Sequence, residues 1–216
     1  MLKVLYEDNH LIAVFKPAGM LVQGDETGDK CLMDEVKEYI KVKYNKPGQV
    51  FLGLIHRLDR PVSGVVLFAK TSKGASRLSD QIRGHKVLKV YQALVEGELV
   101  NEYETLVNWL KKDEKINKSE VFDYEEPGSL FAELDYKVLK TNGKNSLLEI
   151  ILKTGRPHQI RAQLAYIGHP IVGDLKYGAK APNPDKSISL CSTSFTFKTA
   201  TGDETKTVAV EPPFKL

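Results

Sequence analysis

The chain has 216 residues and 42% apolar content, enough for a real core, and its N-terminus shows no leader-like pattern. No apolar run approaches the ~18 residues of a membrane span, and Cys31 and Cys191 lack C-x-x-C spacing, which excludes a membrane helix, a zinc knuckle and a disulfide framework and leaves a soluble cytoplasmic protein with reduced buried thiols as the expectation. The net charge of +3 is segregated: Glu96 to Asp135 hold 12 acids against 4 bases, a net of −8, so the remainder carries +11.

In chain order, Leu2 to Tyr6 and Leu11 to Phe15 read as strands joined by the turn-forming Asp8-Asn9, the second ending at Lys16-Pro17-Ala18-Gly19. Leu32, Val36, Tyr39, Ile40 and Lys43 fall at helical spacing, and Pro47-Gly48 closes that helix. Phe51 to Ile55 and Val65 to Ala69 flank a loop, and Ser72 is the expected N-cap of a helix through Ile82 that stops at Gly84. Strand-like runs follow at Val87 to Val95, Asn101 to Leu110, Glu120 to Tyr124, Phe131 to Leu139 and Leu147 to Leu152. The polar run Lys111 to Glu120 reads as an exposed, mobile excursion. Pro157 occupies a first helical position, and Ile160, Leu164 and Ile167 before Gly168 predict a helix of about three turns. Ser189 to Phe197 and Thr205 to Val210 are late strands. Strands outnumber helices and most connections are short, which predicts an α+β fold with a mixed, largely antiparallel sheet and a few packed helices.

The run His56-Arg57-Leu58-Asp59-Arg60-Pro61-Val62-Ser63-Gly64 sets an acid between two guanidinium groups, ahead of a buried strand. An acid at the mouth of such a strand is held rigidly, as a nucleophile or general base requires. From His56 to Tyr91 there are 8 bases (Arg57, Arg60, Lys70, Lys73, Arg77, Arg83, Lys86 and Lys89) against Asp59 and Asp80. Clustered cations of this kind attract phosphate irrespective of base sequence.

His56 to Gly64 resembles the second signature of the RluA-type pseudouridine synthases. Asn9 to Leu21 (N-H-L-I-A-V-F-K-P-A-G-M-L) is similar to the first, and Leu152 to Gly178, containing T-G-R-P-H-Q-I-R and G-D-L-K-Y-G, to the third. Lys89 to Gly97 resembles the family's K-x-Y-x-A-x-V-x-G strand. The resemblance implies a curved sheet with flanking helices around a central RNA-binding cleft. It further implies conversion of uridine in structured RNA, a stem-loop of rRNA or tRNA, to pseudouridine. That isomerisation breaks the N1 to C1′ bond and joins C5 to C1′, so it needs no metal, redox partner or other cofactor.

By the same resemblance Asp59 is the catalytic carboxylate, acting either on carbon or on a sugar proton. Arg161 is the cation that favours its ionised form, and the Tyr91 ring stacks on the target base. Arg57 enters the RNA helix where the nucleotide leaves. His56, His158 and Gln159 are expected to serve through hydrogen bonds, Arg156 as a phosphate contact, and Ile160 as apolar wall around the base. Gly173-Asp174 and Tyr177-Gly178 read as a tight turn with local structural duties. Val62 departs from the Thr that is common in the family and removes a hydroxyl from the Asp59 loop.

The expectation for organisation is a single catalytic domain over residues 1–216, monomeric, with no small S4-like RNA-binding domain in front of it. A non-catalytic RNA-folding factor on the same scaffold is the alternative function. A metal site of His56, Asp59, His158 and Asp174 is the poorer one, since the histidines lack close helical pairing.

Overall fold

In the computed structural model, which describes residues 2–202 and 204–216, the elements run β1 (Lys3–Glu7), β2 (Leu11–Lys16), α1 (Leu32–Lys43), β3 (Gly53–Leu54), β4 (Ser63–Ala69), α2 (Ser72–Arg83), β5 (Leu88–Glu96), β6 (Tyr103–Asp113), β7 (Lys118–Phe122), β8 (Leu130–Thr141), β9 (Asn145–Leu152), α3 (Gln159–Tyr166), a 3-10 turn (Leu175–Tyr177), β10 (Leu190–Lys198) and β11 (Thr205–Ala209). Two compact units result: Met1–Val87 with Thr193–Glu211, and Leu88–Ser192 with Pro212–Leu216. Among the described residues no helix is long and apolar enough to cross a membrane.

The first unit orders its strands β1-β2-β4-β10, with β11 beside β10 and β3 beside β4. Leu11, Ala13, Val65, Leu67 and Ala69 turn one way and pack with Leu78 of α2 and with Phe195, Phe197 and Val208. Their alternates Ile12, Val14, Val66 and Phe68 turn the other way and are equally buried, which is why β2 and β4 read as unbroken apolar runs. Helix α1 buries Leu32, Val36 and Ile40 at the spacing the sequence shows. Helix α2 is capped by Thr71, one residue before the expected Ser72: its hydroxyl accepts from Gly74 N and also meets His10 Nδ1 at 2.8 Å.

The second unit is the antiparallel order β5-β9-β8-β6-β7. Leu110 and Ala132 pack with Ala162 of α3 and with Tyr177. The stretch expected as an excursion is a regular hairpin, with Lys111 opposite Glu120, Lys112 opposite Ser119 and Asp113 opposite Lys118. Lys111 and Glu120 are exposed and mask the strand, while Ser119 is buried and donates its N–H to Tyr177 Oη at 2.8 Å. The two units together make the largely antiparallel α+β architecture.

Helix α3 also differs from its sequence reading. Pro157 is the second residue of a turn closed by Gln159 N–H on Arg156 O at 3.2 Å, and His158 follows in the left-handed region at φ 52°. Pro followed by a left-handed residue suits a type II-like turn, so the helix starts at Gln159 and spans 8 residues, about two turns. Gly168, at φ 87°, follows its C-cap as expected.

Candidate active site

Asp59 lies half-buried on the irregular segment between β3 and β4, where Leu58 and Val62 are buried and Arg57 and Arg60 exposed. Val62 N–H donates to Asp59 O at 3.0 Å, closing a turn through Arg60 and Pro61, so Val62 serves the loop through backbone and burial. The loop is then clamped to residues 16–20. Gly19 N–H donates to Arg60 O at 2.8 Å, Arg60 Nε donates to Gly19 O at 3.0 Å, and the Arg60 guanidinium meets Asp29 at 2.6 Å.

Lys16 completes the clamp from beneath. Its side chain is fully buried, and Nζ donates to Pro17 O, Met20 O and Arg60 O at 3.1, 2.7 and 3.2 Å. Burial pushes its pKa down to about 7, against the attraction of the Asp59 carboxylate and with the repulsion of Arg60. Three carbonyl dipoles and one nearby carboxylate explain how an ammonium persists there at all. The sequence reading placed this residue only at the end of the second strand and within the first signature. The signal was nevertheless present, because strand alternation sets Lys16 on the same buried side as Ile12 and Val14.

His56 sits behind the loop. Its Nε2 accepts the Leu67 N–H of β4 at 3.1 Å, which requires an unprotonated nitrogen there, and its ring stacks on Phe195 with centroids 4.8 Å apart.

In the second unit, Tyr91 is a buried β5 residue paired with Ile150 of β9, on the same side as Ala93 and Val95. Arg161 and Ile160 are buried in the first turn of α3. Arg161 is held side-on by Asp174, with Nε to Oδ2 at 2.7 Å and Nη2 to Oδ1 at 2.9 Å. Both side chains are almost wholly out of solvent, at 6% and 1%. A buried guanidinium is tolerated when a carboxylate meets it in this two-pronged geometry. Asp174 therefore does more than shape a turn. Its neighbour Gly173 sits at φ 89°, and a Cβ there would come within 2.7 Å of Ser187 O. Any side chain at 173 would push the Asp174 turn away.

Gln159 is a buried junction. Its Oε1 accepts from Thr154 Oγ1 at 2.7 Å and Arg156 N at 3.0 Å, while Nε2 donates to Glu133 O at 3.1 Å and Gln163 Oε1 at 3.1 Å. Arg156, half-buried, donates from Nε to Phe131 O at 2.7 Å. Beside this loop Lys89 Nζ would lie 3.6 Å from a Cβ on Gly155, and burial holds its pKa below the ordinary lysine value. His158 Nδ1 is 3.0 Å from Tyr177 Oη. The structure thus gathers Asp59, His56, Arg60 and Lys16 in the first unit, and Arg156, His158, Gln159, Ile160, Arg161 and Asp174 around the start of α3 in the second.

The RNA pseudouridylate synthase family model matches residues 10–166. Ribosomal large subunit pseudouridine synthase C of Buchnera aphidicola subsp. Acyrthosiphon pisum is 35% identical over 176 residues, covering 82% of this chain and 54% of that protein. tRNA pseudouridine synthase C of Pasteurella multocida is 38% identical over 191 residues, covering 82% of this chain and 74% of that protein. The chain therefore spans about half the length of the first relative and three quarters of the second. Among solved structures, human RNA pseudouridylate synthase domain containing 4 shares the fold with a TM-score of 0.81 at 21% identity, over 98% of this chain and 88% of that one. With a family match running from His10 through α3 and across the loop that carries Asp59, this chain belongs to the RNA pseudouridylate synthase family, in its RluA-type branch.

Proposed function

We propose that this protein isomerises uridine to pseudouridine in structured RNA, of the ribosomal or transfer class named for its relatives, with Asp59 as the acting carboxylate. What supports the reading most is a single arrangement. A half-buried acid sits on a loop fixed by Lys16, Gly19 and Arg60 within a family-matched segment. A carboxylate fixed in this way pays no ordering cost when a nucleoside arrives. In this role it either attacks carbon or removes a sugar proton, and the charge it carries is the same in both.

Tyr91 holds the uracil face through the several orientations that detachment and re-attachment at C5 demand, since an aromatic ring imposes no single rotation. Arg161 favours the ionised acid. Arg57, exposed beside Leu58, fills the gap left in the RNA stack, offsetting an unstacking cost of a few kcal/mol. Arg156 meets phosphate, Ile160 walls the base, and His56, His158 and Gln159 act through the hydrogen bonds given above. The isomerisation is redox-neutral and needs no metal or cofactor, so a cytoplasmic monomer acting on RNA alone suffices.

The test is to incubate the purified protein with cellular RNA in a strong chelator and map new pseudouridines. Discrete new sites in rRNA or tRNA support the reading. RNA binding without any new pseudouridine would leave the folding-factor alternative standing in its place.

A further inference from the structure

Tyr177 is buried in the core of the second unit, and its contacts exceed what packing requires. The Arg161 guanidinium carbon lies 5.1 Å from the ring centroid, and Lys118 Nζ of β7 also lies 5.1 Å from it. The hydroxyl accepts the Ser119 N–H at 2.8 Å and meets His158 Nδ1 at 3.0 Å. Ser119 Oγ in turn donates to Pro157 O at 2.7 Å, and Lys176 Nζ donates to Asn117 O at 3.0 Å. One ring therefore joins the β6–β7 hairpin, the left-handed residue that opens α3, and the guanidinium of Arg161.

The geometry of Arg161 shows what this accomplishes. Its pair with Asp174 restrains the guanidinium within its own plane, through Nε and Nη2, whereas the Tyr177 ring acts on the group from outside that pair. A ring set against the guanidinium opposes its displacement, and a cation over an aromatic face is attracted to it. Asp174 and Tyr177 thus restrain the guanidinium in two different ways.

We propose that Tyr177 is a positioning residue for the reaction: it holds Arg161 in one orientation and ties that orientation to the β6–β7 hairpin. This rests on the reading of Arg161 as the cation of the active site. A misplacement of about 1 Å at a reacting group costs roughly 100-fold in rate, so the effect belongs in kcat rather than in RNA affinity.

The experiment measures kcat and KM for the mapped RNA with the parent, Tyr177→Phe, Tyr177→Leu and Asp59→Asn, alongside the folded fraction of each by circular dichroism. Tyr177→Phe keeps the ring and loses the hydroxyl, leaving the Ser119 N–H without its acceptor; it should lower kcat about 10-fold with KM within about 3-fold and folding intact. Tyr177→Leu loses the ring as well and should fall about a further 10-fold, so that Phe partly rescues Leu. Parental kcat in Tyr177→Phe overturns the proposal, as does a kcat loss in either variant that merely tracks its unfolded fraction. If Tyr177→Leu does not fold, Tyr177→Phe alone decides. Full turnover by Asp59→Asn would instead show that the underlying reading of the site had failed.

Discussion

Lys16 Nζ donates to the carbonyl of Arg60 at 3.2 Å, joining two loops 44 residues apart and placing a buried ammonium beneath the backbone next to Asp59. Because its folded pKa is lowered from 10.5 to about 7, the unfolded chain binds more protons than the folded one between those values, and stability rises with pH across that window. At 1.36 kcal/mol per unit, the gain on going from pH 7 to pH 10 is on the order of 4 kcal/mol. Lys16→Met should abolish that gain in urea unfolding at the two pH values, and parallel pH profiles for parent and variant would refute the assignment. The same variant releases the Arg60 carbonyl and should lower kcat at least about 10-fold.

Gly74 sets two effects against each other. Alanine is the better helix former by about 1 kcal/mol, but a Cβ at this position would approach His10 O to 2.5 Å, and that oxygen is backbone. Steric conflict of this kind costs about 1–3 kcal/mol and involves the same segment that receives the Thr71 cap. Gly74→Ala should therefore destabilise by up to about 2 kcal/mol net in denaturant unfolding. A stabilised variant would mean that α2 shifts freely on β2.

Glu7 gives the acid limb. Burial alone would raise its pKa, yet hydrogen bonds from Lys43, Lys70 and Tyr44 outweigh that and bring it to about 2 from 4.5. A depressed carboxylate contributes stability above its unfolded pKa and loses it as pH falls toward the folded one. Parent stability should decline between pH 4.5 and 2 by on the order of 3 kcal/mol more than that of Glu7→Gln. Equal declines in acid unfolding curves would show that the cluster does not act on Glu7.

Much of this was legible in the chain, and the remainder was hidden for physical reasons. The β2 and β4 runs and the α1 stripe declare themselves because burial there is strong and periodic. The β6–β7 hairpin escaped because its outward positions are charged and its inward Ser119 is polar, so no apolar alternation marks it. The start of α3 escaped because a left-handed His158 is imposed by contacts distant in sequence, and Pro157 suits either a helix start or a turn. Lys16 and Asp174 stood within the quoted motifs, and strand alternation marked Lys16 as inward, but what each holds in place depends on partners distant in sequence, Arg60 and Arg161.

Tyr91 separates stacking from proton transfer. A Phe ring presents the same face, so Tyr91→Phe should retain more kcat than Tyr91→Leu by about 10-fold or more, in line with base-on-aromatic stacking of about 1–3 kcal/mol. The reverse order in single-turnover assays would count against a stacking role.

Asp59→Asn exchanges one carboxylate oxygen for an amide of nearly the same shape, so loop and RNA contacts persist while the negative charge disappears. Pseudouridine formation in the mapped RNA should become undetectable, with RNA affinity within a few-fold of the parent. Pseudouridine yields comparable to those of the parent would contradict the role of this carboxylate.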